Sequence, residues 1–146
     1  MRRPRAVSRE AIFAALFARL ADVPGLVTRS RQFRGWNKVA AAEQPALFQV
    51  QGRQGGTTAR GMPTKWTLEA ELVVYVHKST ADAADPVIRL NMLVDAIEAA
   101  LGPDPGDVAC TLGGLVSSCT ITGVETDQGA LGDQSVAVVG LSLVVA

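Results

Sequence analysis

Histidine occurs once in the 146 residues, at His77, cysteine twice, at Cys110 and Cys119, and tyrosine once. Acyl transfer by a triad needs a nucleophile, a base and an orienting acid, and His77 is the one possible imidazole base; its expected role is that of a strand-end residue. Two cysteines with one histidine fall short of the roughly four ligands of a closed zinc site. They are also too few for a disulfide scaffold. Both lie near apolar stretches and read as buried free thiols, a bridge being open to them only if they face each other across a turn. No HExxH, GxxxxGK[ST], DxDxDG or GxGxxG occurs, so zincin, P-loop, EF-hand and dinucleotide chemistry have no motif to stand on. No metal or cofactor is expected, and no catalytic residue. The longest apolar run, 136–146, is well short of the ~20 residues that cross a bilayer, and no secretory signal opens the chain. A soluble protein made in a cytoplasm is expected, with no membrane partner.

What is present is a globular composition, 48% hydrophobic with net charge zero. The length suits one domain, 1–146, with one core. Neutrality argues against a surface given over to nucleic acid. The charge is nevertheless split. Residues 1–38 carry nine basic side chains against Glu10 and Asp22, a net +7, so the remainder carries −7, and beyond Asp82 the one base is Arg89. Such a polarity suits head-to-tail contacts between identical subunits, although solvated surface explains it equally well.

Periodicity divides the chain. Ser8 reads as the N-cap of a helix bearing Ile12, Leu16 and Leu20, with Phe13 and Phe17 beside them, and Pro24-Gly25 stops it. A basic leader, 1–7, precedes it and is expected to be mobile unless a partner orders it. Residues 26–33 and 46–51 are strand-compatible. Residues 52–64, GRQGGTTARGMPT, hold four glycines and a proline without an apolar period and read as a long flexible loop. Residues 65–78 alternate: Trp66, Leu68, Ala70, Leu72, Val74 and Val76 share a core face. The opposite face turns apolar at Val73 and Tyr75, where a helix or a neighbouring subunit is expected to cover it. Asp85 as N-cap and Pro86 at the first helical position announce a second helix, with Leu90, Leu93, Val94, Ile97 and Leu101 inward and Gly102-Pro103 as its stop. Strands follow at 115–125 and 134–146, the last apolar on both faces and therefore central. The order α-β-β-β-α-β-β predicts an α+β fold, a mostly antiparallel sheet with two helices packed on it.

Three residue groups invite function. Glu69 and Glu71 share a strand face, as a carboxylate pair for acid/base work or a solvated face. Gly55-Gly56 beside Arg53 and Arg60 is a weak phosphate cradle without a helix N-terminus behind it. Arg29 and Arg31 alternate with Phe33 ahead of Trp36, a basic-aromatic pattern able to stack on single strands, or a polar face meeting carboxylates.

Taken along its length, the chain resembles a known family. The segments SREAIFAALFARLADVPGL, PALFQVQG, KWTLEAELVVYVHK, ADPVIRLNMLVDAIEAALGP and the closing GLVSSCTITGVETDQGALGDQSVAVVGLSLVV are similar in order and texture to the tail terminator proteins of tailed phages, the minor tail protein U or tail-completion group. The leader RRPR has no place in that pattern. The resemblance implies a virion protein at the head-proximal end of the tail that forms a homohexameric ring, stops tube polymerisation and presents a surface for head-tail joining. Its implied partners are its own copies, the tail tube protein, head-tail connector proteins and, where the tail has one, the sheath; DNA passes through the lumen without sequence-specific binding. Candidate subunit or tube contacts are Arg29, Arg31, Arg34, Arg53, Arg60, Val73, Tyr75, Asp95 and Glu98, with Arg29, Arg31 or Arg34 facing Asp95 or Glu98 of the next subunit. Other phage ring components (a connector, a stopper or a tube subunit) fit the same texture, and a small nucleic-acid- or ligand-binding domain fits the Arg29/Arg31/Trp36 surface.

Overall fold

The computed structural model describes residues 8–80, 85–129 and 132–146; the basic leader 1–7 lies outside them. The fold is α+β. Helix α1 spans Arg9–Arg19, strand β1 Thr28–Ser30, β2 Ala46–Thr57, β3 Lys65–His77, helix α2 Pro86–Ala100, β4 Val116–Asp127 and β5 Gln134–Val145. The strands form one sheet in the order β1-β2-β3-β5-β4, with β1 parallel to β2 and every other pairing antiparallel.

Both helices end where local chemistry ends them. Ser8 Oγ accepts from the Ala11 amide at 3.3 Å, satisfying one orphan donor of the first turn. The chain leaves α1 through one 3₁₀ turn, Leu20–Asp22, and Gly25 at φ +82° turns it away. In α2 the Asp85 carboxylate accepts from Val87 N at 2.9 Å, and Pro86 gives up a donor that has no partner at that position. Ile12, Phe13 and Leu16 of α1 and Leu90, Leu93 and Ile97 of α2 are buried on one face of the sheet, against Leu68, Leu72, Val74, Val139, Leu141 and Leu143. Strand β5, between β3 and β4, has no outer edge and is apolar on both faces, as the sequence implies.

The other sheet face carries a smaller core. Val73 and Tyr75 are buried there with Val39, Ala46, Phe48 and Val136. Their cover is the chain's own segment 33–45, folded over the sheet with two 3₁₀ turns, Trp36–Lys38 and Ala41–Glu43. Neither a helix nor a neighbouring subunit is needed, which corrects the expectation for this face. Tyr75 is 3% exposed and donates from its hydroxyl to the Arg34 carbonyl at 3.1 Å, and Val73 is 8% exposed. These two residues therefore leave little apolar area for another subunit.

The expected loop 52–64 is also corrected. Residues 52–57 continue β2, with Gln54, Gly55, Gly56 and Thr57 paired to Leu68, Thr67, Trp66 and Lys65 across one register shift between Gln51 and Gln54. Gly56 serves packing: a Cβ there would stand 2.9 Å from Thr64 Cγ2 and 3.1 Å from the Trp66 ring, whereas Gly55 has open space around it. Only 58–64 remains as the connection, so β2 and β3 form a long hairpin. Toward its tip Arg9 donates to Gln54 Oε1 at 2.5 Å and lies 4.6 Å above the Trp66 ring, fastening α1 to the hairpin.

The stretch from α2 to β4 is organised by Asp104. Its Oδ2 accepts from Thr111 Oγ1 at 2.5 Å, Thr111 N at 3.3 Å and Gly113 N at 3.2 Å, and its Oδ1 from Arg19 at 2.6 Å. These donors turn the chain through Leu112, Gly113 and Gly114, all at positive φ, and join the end of α1 to the entry of β4. Behind them Cys110 and Cys119 are buried free thiols, and burial together with the neighbouring Cys110 thiol pushes Cys119 up to about 12. The Thr111 hydroxyl, then Arg19 and the Gly113 amide, hold the Asp104 carboxyl well below its ordinary range. A carboxylate with a depressed folded pKa stabilises the fold above its unfolded pKa, about 3.9, and loses that contribution as pH falls below it. Asp104→Asn is therefore expected to lower the melting temperature at pH 7, with the gap to the parent protein narrowing below about pH 4. Parallel thermal melts from pH 7 to pH 2.5 check this; a constant gap would show that Asp104 acts without its charge.

Candidate assembly surface

The sequence-predicted contact residues separate into engaged and open ones. Arg29 donates to the Phe17 carbonyl, with its guanidinium 4.0 Å from the Phe17 ring centroid. Arg31 grips Glu10 in a two-pronged pair at 2.7 and 2.9 Å. Arg34 meets Glu43 at 2.8 Å and lies over the Phe48 ring at 5.5 Å. The carboxyls of Glu10 and Glu43 are held below their ordinary range chiefly by hydrogen bonds from these two guanidiniums. The three arginines thus already have partners in their own chain, and the expected contact from them to Asp95 and Glu98 of a neighbour would have to displace those partners. This also lowers the case for a basic-aromatic strand-binding face, although Phe33 and Trp36 remain 54% and 41% exposed.

Arg53 on β2 and Arg60 in the hairpin connection are exposed and make no hydrogen bond or ion pair with the described residues. Asp95 and Glu98 are exposed on the outer side of α2, where Ile88 and Met92 also stand in solvent. Glu69 and Glu71 are exposed on β3, next to strand residues and far from any histidine pairing. Gly55-Gly56 is extended strand, with no helix N-terminus to make it a phosphate cradle. His77 closes β3 and bonds Ser79 Oγ at 2.7 Å through Nδ1. Among the described residues no group of three His, Cys, Asp or Glu could hold a metal ion, and no helix is long and apolar enough to cross a membrane.

The concavities are shallow. One of about 480 Å³ lies between the ends of α1 and α2, lined by Arg19, Asp22, Pro24, Ala99 and Pro103, and its single cation is tied to Asp104. Another, about 380 Å³, runs along β4 between Glu71 and Glu125 over a floor of Gly123 and Gly140. Neither gathers a nucleophile with a base.

Sequence reasoning missed the sheet's open edges, on β2 beyond its pairing with β1 and on β4, as surfaces. Beyond Phe48, β2 has a strand partner on one side alone, and from Thr120 onward so does β4. A sheet edge presents a row of unpaired amide and carbonyl groups. The signal was obscured because Gly52, Gly55 and Gly56 hide the period of β2, and because β4 alternates small polar residues without a clear apolar face.

No family model matches the chain, and no curated protein matches it. Solved structures do. A chain in a structure described as the virion of a native gene transfer agent particle is 12% identical, with a TM-score of 0.55, covering 98% of this chain and 100% of that one. A second solved chain is 19% identical, with a TM-score of 0.56 and 97% of both chains covered. At these identities the likeness establishes the fold alone: helices and sheet together, the chain is arranged like a chain of a gene transfer agent virion.

Proposed function

We propose that this chain is a virion structural protein without catalytic activity that closes the head-proximal end of a phage-like tail tube. In this reading six copies form a ring, stop tube polymerisation and offer a surface to head-tail connector proteins, while DNA passes through the lumen. The tail tube protein is its partner on one side, and a sheath, where present, is a further contact. The observation that carries the reading is the end-to-end structural match to a gene transfer agent virion chain, joined to the segment-by-segment resemblance to tail terminators. Two open sheet edges and a polar split of charge add to it, since ring building by identical subunits needs two different, complementary surfaces on each.

Assembly is the test. Purified protein is expected to show a concentration-dependent species at six times the 15.3 kDa subunit mass in native mass spectrometry or mass photometry, and to give no turnover, with or without His77→Ala, in a hydrolase and transferase screen. A monomer at every concentration, both alone and mixed with tail tubes, would overturn the ring; turnover abolished by His77→Ala would overturn the structural role.

A further inference from the structure

We propose that the ring closes through its backbone: the open edge of β4 in one copy pairs antiparallel with the open edge of β2 in the next, extending the sheet from subunit to subunit. The inference rests on the ring reading above and names the surfaces that would build it.

Each edge is partly closed by its own chain and partly open. On the outer side of β4, the Val116 and Cys119 amides donate to the Thr111 and Cys110 carbonyls at 3.1 and 2.9 Å, so the segment around Cys110 covers the first third. From Thr120 to Thr126 no backbone bond among the described residues occupies that side. On β2, strand β1 pairs with Ala46, Leu47 and Phe48 only; Gln49 is still buried and bonds the Phe13 carbonyl of α1, and Gln51 to Thr57 are left open in the same sense. Exposed edges invite another strand unless proline, lysine, shortness or a bulge discourages it. Neither open stretch contains proline or lysine. Each has one register shift, between Gln51 and Gln54 and between Ile121 and Gly123, a local bend that the incoming strand has to follow.

Charge and direction select the partner. Strand β2 and the connection after it, residues 46–65, contain Arg53, Arg60 and Lys65 and no acid, the hairpin's acids Glu69 and Glu71 standing one strand further in, on β3; residues 114–135 contain Glu125, Asp127 and Asp133 and no base. A basic edge and an acidic edge on the same subunit complement each other between copies. Pairing β4 with a second β4 would instead set the Glu125 and Asp127 carboxylates of two copies close together, and would end at a dimer. Because β2, β3, β5 and β4 alternate in direction, β4 runs opposite to β2, and continuing the sheet into the next copy keeps that alternation. The open part of β2 lies toward the hairpin tip, while the open part of β4 lies beside the opposite end of the sheet, near Val136. The copies must therefore be staggered, which tilts the strands against the ring axis, as closure of a sheet into a barrel requires.

Hydrogen exchange on the full chain, as ring and as dilute monomer, tests this. The amides of 120–126 and of 51–57 are expected to slow together on ring formation. Arg53→Glu and Glu125→Arg should each raise the half-assembly concentration by up to about fivefold per interface, the range of an exposed ion pair, and the double variant should recover. Rings in which both stretches exchange at the monomer rate overturn edge pairing and leave the ring reading standing. Dimers protected at 120–126 alone overturn the heterologous contact. Protection that appears only on added tail tubes, without rings in solution, assigns the edge to a foreign strand instead. A chain that never assembles overturns the ring reading, and edge pairing with it.

Discussion

Phe13→Ala is expected to destabilise the chain by about 3–5 kcal/mol, a large share of the roughly 5–15 kcal/mol that holds an ordinary domain folded. Phe13 is 1% exposed, between α1 and the sheet, and sits in the same cluster as Leu16, Leu72 and Leu141. Truncation removes the transfer free energy of the ring and leaves a cavity that a helix fixed at both ends, by Ser8 and by the Arg19–Asp104 pair, cannot collapse to fill. Phe33 provides the contrast. It is 54% exposed and meets Phe48 edge-on at 6.2 Å between centroids, so Phe33→Ala should cost about 1 kcal/mol or less. Urea unfolding of both variants checks the pair; equal losses would show that the main core is not where the structure places it.

Gln134→Ala should have the next largest effect, about 1–3 kcal/mol, because it leaves buried polar groups without their partners. Gln134 is 6% exposed at the start of β5. Its Nε2 donates to the Trp36 carbonyl at 3.0 Å, and its Oε1 accepts from Gln44 Nε2 at 2.7 Å, while Gln44 also donates to the Val39 carbonyl at 3.3 Å. This amide pair holds segment 33–45 over the second sheet face. Its loss should release the segment as well as lower stability, so a larger acceleration of hydrogen exchange at 36–45 than in α1 is expected. Uniform acceleration across the chain would mean that the segment is not held separately.

How much of this was legible in the sequence depended on how local the determinants were. Helix α2 was readable from Asp85 through Gly102 because its cap, its first proline and its apolar stripe all lie within a few residues of where they act. The inward face of β3 was readable because six alternating apolar residues leave no other assignment. The hairpin was not: Gly52 to Thr57 look like loop, and only pairing with a strand ten or so residues later makes them extended. The second core was half legible. Val73 and Tyr75 signalled that something covers them, but the cover, 33–45, lacks any helical or strand period. The arginines were legible only as a face meeting carboxylates of the same or a neighbouring chain; within the chain, the helix Glu10 and the turn Glu43 reach Arg31 and Arg34. What the fold leaves exposed for assembly includes Arg53, Arg60, Asp95, Glu98, Glu125 and two strand edges.

The central claim, that this chain ends a tail tube, is tested most directly by electron microscopy of particles produced with and without its gene. Without it, tubes of irregular and excessive length, not joined to heads, are expected, and supplying the protein should restore uniform joined tails. Tubes of normal length in its absence, or no tubes at all, would contradict the account, the first pointing to a connector or stopper and the second to the tube subunit itself.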